Sequence, residues 1–219
     1  MANNLHWEGV NFLPSLHGYQ PKNYTLELND NDLMNLKNLA YSKILLPRGI
    51  TDPILKITLA SGVCSGISAY TLLKFTKNDK EFNEADLYIA ILQARTWCSY
   101  FIRQCIKSYF YPVPRVIKDF QFNLNNGSLE NLPLFCFLPR LFYFNNIFWA
   151  HTVIPYGWRE GLTHFYIKIC DSNYPGEDKK VLKINKNTGY WYYDKKDSSK
   201  WILTINYLGN LTRRGPFLL

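Results

Sequence analysis

Near residue 140 the spacing of apolar residues changes, and that change limits the folds open to this chain. Upstream, apolar side chains recur at intervals of three and four, the helical period. Downstream they alternate in short segments punctuated by Gly, Asn, Asp and Pro, the pattern of strands. Helices first and antiparallel strands afterwards predict an α+β architecture rather than the alternating order of a doubly wound sheet. With 219 residues, no Gly/Ser- or Pro-rich linker and no internal repeat, a single domain over 1–219 is expected. It comprises an irregular segment over 1–50, a helical part over 51–138 and a sheet part over 139–219.

Within the helical part, one helix is predicted from Gly62 to about Phe75, with Ser61 as its cap. A longer one runs from about Glu84 to Tyr109, capped by Asn83, with Leu87, Ile91, Ala94, Cys98, Phe101 and Cys105 on its buried stripe. Pro112 and Pro114 end it, and Leu129–Leu138 reads as another short helix. Asn29–Asp32 reads as a loop or cap before a short helix over Leu33–Leu39. Strands are predicted at Ile147–Tyr156, Thr163–Asp171, Lys180–Ile184, Tyr190–Tyr193 and Trp201–Tyr207.

A chain that is 47% hydrophobic and only 19% charged is not a disordered tail. Its net charge of +8 is spread along the sequence, so nucleic acid is a weak expectation as a partner. The opening Met-Ala-Asn-Asn-Leu-His-Trp-Glu lacks the basic start and apolar run of an export signal. The long uncharged window Leu141–Trp158 is broken by polar residues, Pro155 and Gly157, so no membrane span is expected. A soluble, cytoplasmic protein follows. The five cysteines match neither a disulfide framework nor paired zinc ligands, which fits a reducing compartment.

Among those thiols, Cys64 stands apart. It is flanked by Gly62 and Gly66, which predict room for another molecule's backbone to approach, and it sits where a loop becomes a helix. Unpaired N–H groups and the helix dipole there favour the thiolate, the attacking species. The same N–H groups can receive an oxyanion. Such a nucleophile needs a base and a group to orient it.

Of four histidines, His151 lies in the first predicted strand and His164 in the second, whereas His6 and His17 fall in the irregular N-terminal segment as surface or packing residues. A hairpin centred on Gly161 puts His151 directly opposite Asp171, with Cβ atoms about 4.5–5.5 Å apart. Asp171 shares parity with Phe165, Ile167 and Ile169, placing its carboxylate at the end of a buried face; His164 has the opposite parity. The run Asp171–Gly176 begins like a calcium loop, but its bidentate glutamate position is Leu182, so no metal is expected.

Three stretches together resemble the papain-like cysteine peptidase superfamily, most of all its compact bacterial members. They are Gly62-Val63-Cys64-Ser65-Gly66-Ile67-Ser68, His151-Thr152-Val153-Ile154-Pro155-Tyr156-Gly157, and Ile169-Cys170-Asp171-Ser172-Asn173-Tyr174-Pro175-Gly176. The resemblance covers roughly residues 60–195 and implies Cys64 as nucleophile, His151 as base and Asp171 as orienting group. It implies N-terminal helices packed on a C-terminal antiparallel half-barrel, a polypeptide substrate and no cofactor. Where papain relatives place a glutamine before the cysteine, this chain has Thr58, Ser61 and Val63, and threonine follows the histidine where many compact relatives have glutamine.

Two other readings remain. A glutamine amidotransferase would take Ile54–Ala60 as a strand leading into the Cys64 elbow and needs a His-x-Glu pair, whereas His151 precedes Thr152-Val153. A basic binding module would use the dispersed lysines and exposed aromatics to grip nucleic acid.

Overall fold

The computed structural model describes residues 8–9, 11–76, 85–126, 131–140 and 150–217. His6, the cap Asn83 and Glu84, Leu129, the strand start Ile147–Trp149 and the side chain of Cys105 lie outside the described residues.

The first half holds β1 (Glu8–Gly9), α1 (Pro14–His17), α2 (Asp30–Ala40), β2 (Tyr41–Ile44), α3 (Arg48–Ala60), α4 (Cys64–Thr76), α5 (Ala85–Ala94), a 3-10 turn (Arg95–Trp97), α6 (Ser99–Tyr109) and α7 (Val113–Asn126). The second holds β3 (Pro133–Pro139), β4 (His151–Glu160), β5 (His164–Cys170), β6 (Val181–Asn185), β7 (Trp191–Tyr193), β8 (Lys196–Asp197), β9 (Trp201–Tyr207), α8 (Leu208–Thr212) and β10 (Gly215–Phe217). The strands form an antiparallel sheet in the order β8-β7-β6-β5-β4-β3-β9, with β1 alongside β4; β10 returns to pair with β2. The chain is α+β, as its texture predicts.

Each face of the sheet carries its own core. Leu134 and Cys136 of β3 and Ile154 and Tyr156 of β4 point into one cluster with α2, α4 and α5. The alternate residues Phe135, Phe137 and Val153, with Ile167 and Ile169 of β5, face a second cluster closed by Val116, Ile117, Phe120 and Leu124 of α7. The period-2 alternation of strands sorts neighbouring residues between the two layers.

Several expectations need correcting. Where a helix is predicted over Leu129–Leu138, the stretch from Pro133 onward is instead strand β3, held between β4 and β9. Covered on both faces, it has no polar alternation to distinguish it from a buried helix. The long helix over Glu84–Tyr109 breaks at Cys98, which is extended (φ −68°, ψ 144°) and makes a bridge to Phe217. Arg95 fixes the break by donating to the carbonyls of Leu39, Ala40, Leu211 and Thr212. Pro112 and Pro114 do end one helix, but they also start α7, whose first turn needs no proline N–H. The 1–50 segment is not irregular throughout: Asn29 Oδ1 caps α2 through the Asp32 N–H at 2.9 Å, and α2 is longer than predicted. Ile54–Ala60 belongs to helix α3, which removes the strand an amidotransferase elbow requires. Among the described residues no single helix is long and apolar enough to cross a membrane.

Candidate active site

Cys64 is the first residue of α4. The loop into it turns at Gly62, whose φ of +111° is a conformation that favours glycine. Ser61 is not the cap of α4; it ends α3 and its hydroxyl donates to Ile57 O at 2.7 Å. The loop is held instead by Asn23, whose Oδ1 accepts from the Val63 N–H at 2.9 Å. The Asn23 N–H also donates to Ser172 O at 2.8 Å, so one residue from the N-terminal segment ties the cysteine loop to the turn beside Asp171. Inside the first turn of α4, the Gly66 N–H donates to Gln93 Oε1 at 3.0 Å.

The flanking glycines do not open the site to solvent. A Cβ on Gly62 would stand 2.8 Å from Asn23 Nδ2, and one on Gly66 would stand 2.3 Å from the Ile89 carbonyl oxygen. Both are consumed by internal packing, and Cys64 is only 5% exposed.

Strand β4 begins at His151, which pairs across the ladder with Phe137 and stacks on its ring. Asp171 follows the last residue of β5. The predicted register is wrong by two residues: the β4–β5 ladder pairs Ile154 with Cys170 and carries an irregularity between Pro155 and Gly157. His151 and Asp171 are therefore diagonal neighbours on one face, still within reach of side chains of their length. They do meet: His151 Nε2 donates to Asp171 Oδ1 at 2.8 Å, both residues buried. His151 and the Cys64 thiol act on each other electrostatically: the ring favours the ionised sulfur, and the sulfur favours the charged ring. The sulfur also lies 3.8 Å from Ala150 O.

Asp171 is held from three sides. Besides the imidazole, Oδ1 accepts from the Asn173 N–H at 2.8 Å and Oδ2 from the Tyr193 hydroxyl at 2.7 Å. Burial raises its pKa, but His151 and these donors outweigh it and hold the carboxyl below its ordinary range. Burial pulls His151 down, yet Asp171 and Cys64 lift it to about 9. Burial pushes the Cys64 thiol up, and the His151 hydrogen bond and charge, with the Thr152 N–H, carry it below its ordinary value. The lowered thiol and the raised imidazole both shift the balance toward a thiolate beside an imidazolium, with a carboxylate behind it.

Tyr193 and Asn23 were not singled out from sequence. Tyr193 lies in the predicted strand Tyr190–Tyr193, and its 1% exposure beside half-exposed Tyr192 follows strand alternation. Its ring stacks on Phe137 at 5.3 Å, so the phenol reaches Asp171 from a packed position. Nothing in the sequence around Asn23 points to the cysteine loop. Thr58, a position considered for the missing glutamine, is committed elsewhere, donating to Ile54 O and accepting from Trp97 Nε1, each at 2.7 Å. His17 accepts from the Leu13 N–H and packs tilted against Phe12 and edge-on against Phe75, and His164 bonds Thr163 at the far end of β5. Among the described residues no three His, Cys, Asp or Glu side chains converge as a metal site.

Tyr193→Phe leaves Asp171 Oδ2 without a donor among the described residues. One hydrogen bond of about 1 kcal/mol corresponds to roughly 0.7 of a pKa unit on the carboxyl. A depressed carboxylate pKa supports the ion pair above it and fails as pH falls through it. The ultraviolet absorbance of the thiolate should therefore vanish at a higher pH in Tyr193→Phe than in the parent; coincident acid limbs would contradict the role given to Tyr193.

No protein-family model matches the chain, and no curated protein and no solved structure does.

Proposed function

We propose that this chain is a cysteine-dependent hydrolase of the papain-like kind, acting on polypeptide. What supports the reading is the buried His151–Asp171 pair at 2.8 Å, together with the influence of His151 that lowers the pKa of the Cys64 thiol. Their chain order, helix-borne cysteine before strand-borne histidine and carboxylate, supports it as well. The unpaired thiols Cys64, Cys98, Cys136 and Cys170 fit a reducing compartment such as the cytoplasm.

In this mechanism the thiolate attacks the carbonyl carbon of the scissile amide, forming the S–C bond and moving the π electrons onto oxygen. The Cys64 and Ser65 N–H groups at the start of α4 face the developing oxyanion together with the helix dipole, whereas those of Gly66 and Ile67 are taken by Gln93 Oε1 and the Val63 carbonyl. His151 then gives its proton to the departing amine as the C–N bond breaks. A water deprotonated by His151 cleaves the resulting thioester and restores the thiol pair. Asp171 keeps the ring oriented and stabilises its positive charge throughout, without taking the proton.

A peptide vinyl sulfone tests the reading. Mass spectrometry should find the adduct on Cys64, absent from Cys64→Ala and slowed by at least about tenfold in His151→Ala. A parent protein that leaves Cys64 unmodified while binding nucleic acid in a salt-sensitive way would replace this reading with that of a basic module.

A further inference from the structure

At the start of α4 lies a cavity of about 230 Å³. Gly62, Ser65, Ala150 and Thr152, sequence neighbours of Cys64 and His151, form one of its walls. Its far walls are apolar, formed by Trp97, Phe101, Ile102, Ile106 and Leu138. Its volume is below the roughly 300 Å³ at which pockets for whole small molecules begin, and suits one large side chain.

Of the polar side chains in the lining, Ser65 and Thr152 hydrogen-bond each other at 2.6 Å and Thr58 is committed to Ile54 O and Trp97, while Gln93 presents its amide. Gln93 is 6% exposed, and its Oε1 is committed to the Gly66 N–H at 3.0 Å, which fixes the orientation of the amide. The two N–H bonds of Nε2 have no acceptor among the described residues, and the amide lines the cavity. A donor facing a largely apolar pocket discriminates for a ligand that supplies the acceptor.

We infer that this cavity is a specificity pocket for tyrosine in the substrate polypeptide, its aromatic ring between the apolar walls and its phenolic oxygen accepting from Gln93 Nε2. Phenylalanine fills the same space but leaves the amide unpaired; alanine leaves the cavity empty. The inference rests on the cysteine-peptidase reading and adds to it the residue beside the scissile bond.

The test uses dipeptide vinyl sulfones carrying tyrosine, phenylalanine or alanine either next to the warhead or one residue further away, with the rate of Cys64 modification as readout. At whichever of the two positions enters the cavity, tyrosine should react about tenfold faster than phenylalanine, the equivalent of about 1.4 kcal/mol, and phenylalanine faster than alanine. In Gln93→Leu the order of tyrosine and phenylalanine should reverse, while both stay ahead of alanine. The comparison within the parent protein stands whether or not that variant folds. Equal rates for the three side chains at both positions would overturn the pocket and leave the hydrolase reading intact. Failure of every probe to modify Cys64 would overturn that reading, and the pocket assignment with it.

Discussion

Alkylation of Cys64 by iodoacetamide at neutral pH should fall by one to two orders of magnitude in His151→Ala. In the parent, His151 lowers the pKa of the sulfur despite its burial and so favours the thiolate. Without it only the desolvation penalty and the weak pull of the Thr152 N–H remain, so the thiol returns to its ordinary range of about 8.5 or above. At pH 7 a thiol of that kind is a few per cent ionised or less, which sets the size of the drop. Part of the loss is offset, because a more basic thiolate is intrinsically more nucleophilic. Hydrolysis of a peptide reporter should fall further, by about another 10²-fold or more, because the same ring also protonates the leaving amine. Asp171→Ala should slow hydrolysis for a related reason: the ring keeps its place on Phe137 but loses the carboxylate that orients it. Mass-spectrometric quantification of the Cys64 peptide separates this thiol from the others. An alkylation rate unchanged by His151→Ala would contradict the ion pair.

Gly66→Ala should produce the largest loss of stability of any single methyl addition near the site. The new Cβ would stand 2.3 Å from the Ile89 carbonyl oxygen and 3.1 Å from its carbon, and both are backbone atoms of the facing helix α5. Neither can rotate away, so the two helices must separate or tilt. Overpacking of this kind costs about 3 kcal/mol, which for a chain of this length lowers the melting temperature by roughly 6–12 °C. The shift would also pull the Gly66 N–H from Gln93 and disturb the first turn that carries Cys64. Calorimetry of Gly66→Ala measures the effect, and Gly49→Ala, with open space around its Cβ, serves as the control. Equal melting temperatures for the two variants would show that the α4–α5 contact is looser than described.

The particular elements show why part of this was legible in the sequence. Helix α4 and strands β5, β6, β7 and β9 announce themselves through local spacing, because each buries one distinct stripe or face. The sequence around Cys64 also carries a loop-to-helix signal, and His151 and Asp171 lie at the near ends of two strands separated by a turn. What failed was non-local. Strand β3 is buried on both faces, so its composition is that of a core helix as much as a strand. The break at Cys98 depends on Arg95 and on Phe217, a residue far along the chain. The β4–β5 register depends on the irregularity after Pro155, which no count of residues around Gly161 anticipates. Helix α7 was readable from Val116, Ile117, Phe120 and Leu124 at intervals of three and four, but the prolines before it were taken only as terminators. Asn23 and Tyr193 reach the site solely through the fold.

Those two residues change how the site is understood. Asn23 joins the loop before Cys64 to the turn after Asp171 through two hydrogen bonds. Tyr193 and the Asn173 N–H occupy the carboxylate positions that His151 leaves free. Three side chains thus rest on a surrounding set of buried polar contacts, with each carboxylate oxygen accounted for, which is the condition under which such groups stay fixed inside a protein.

The pH dependence of Cys64 alkylation, followed from mildly acid to alkaline solution in the parent and in His151→Ala, tests the central claim most directly. The account predicts that the parent's rise lies at a lower pH than the variant's and that a second change appears near pH 9, where His151 gives up its proton. In His151→Ala the profile should collapse to a single rise in the range of an ordinary or buried thiol. A parent profile with one rise at that same alkaline position, superimposable on the variant's, would mean that sulfur and imidazole do not share a proton and that the proposed chemistry is absent.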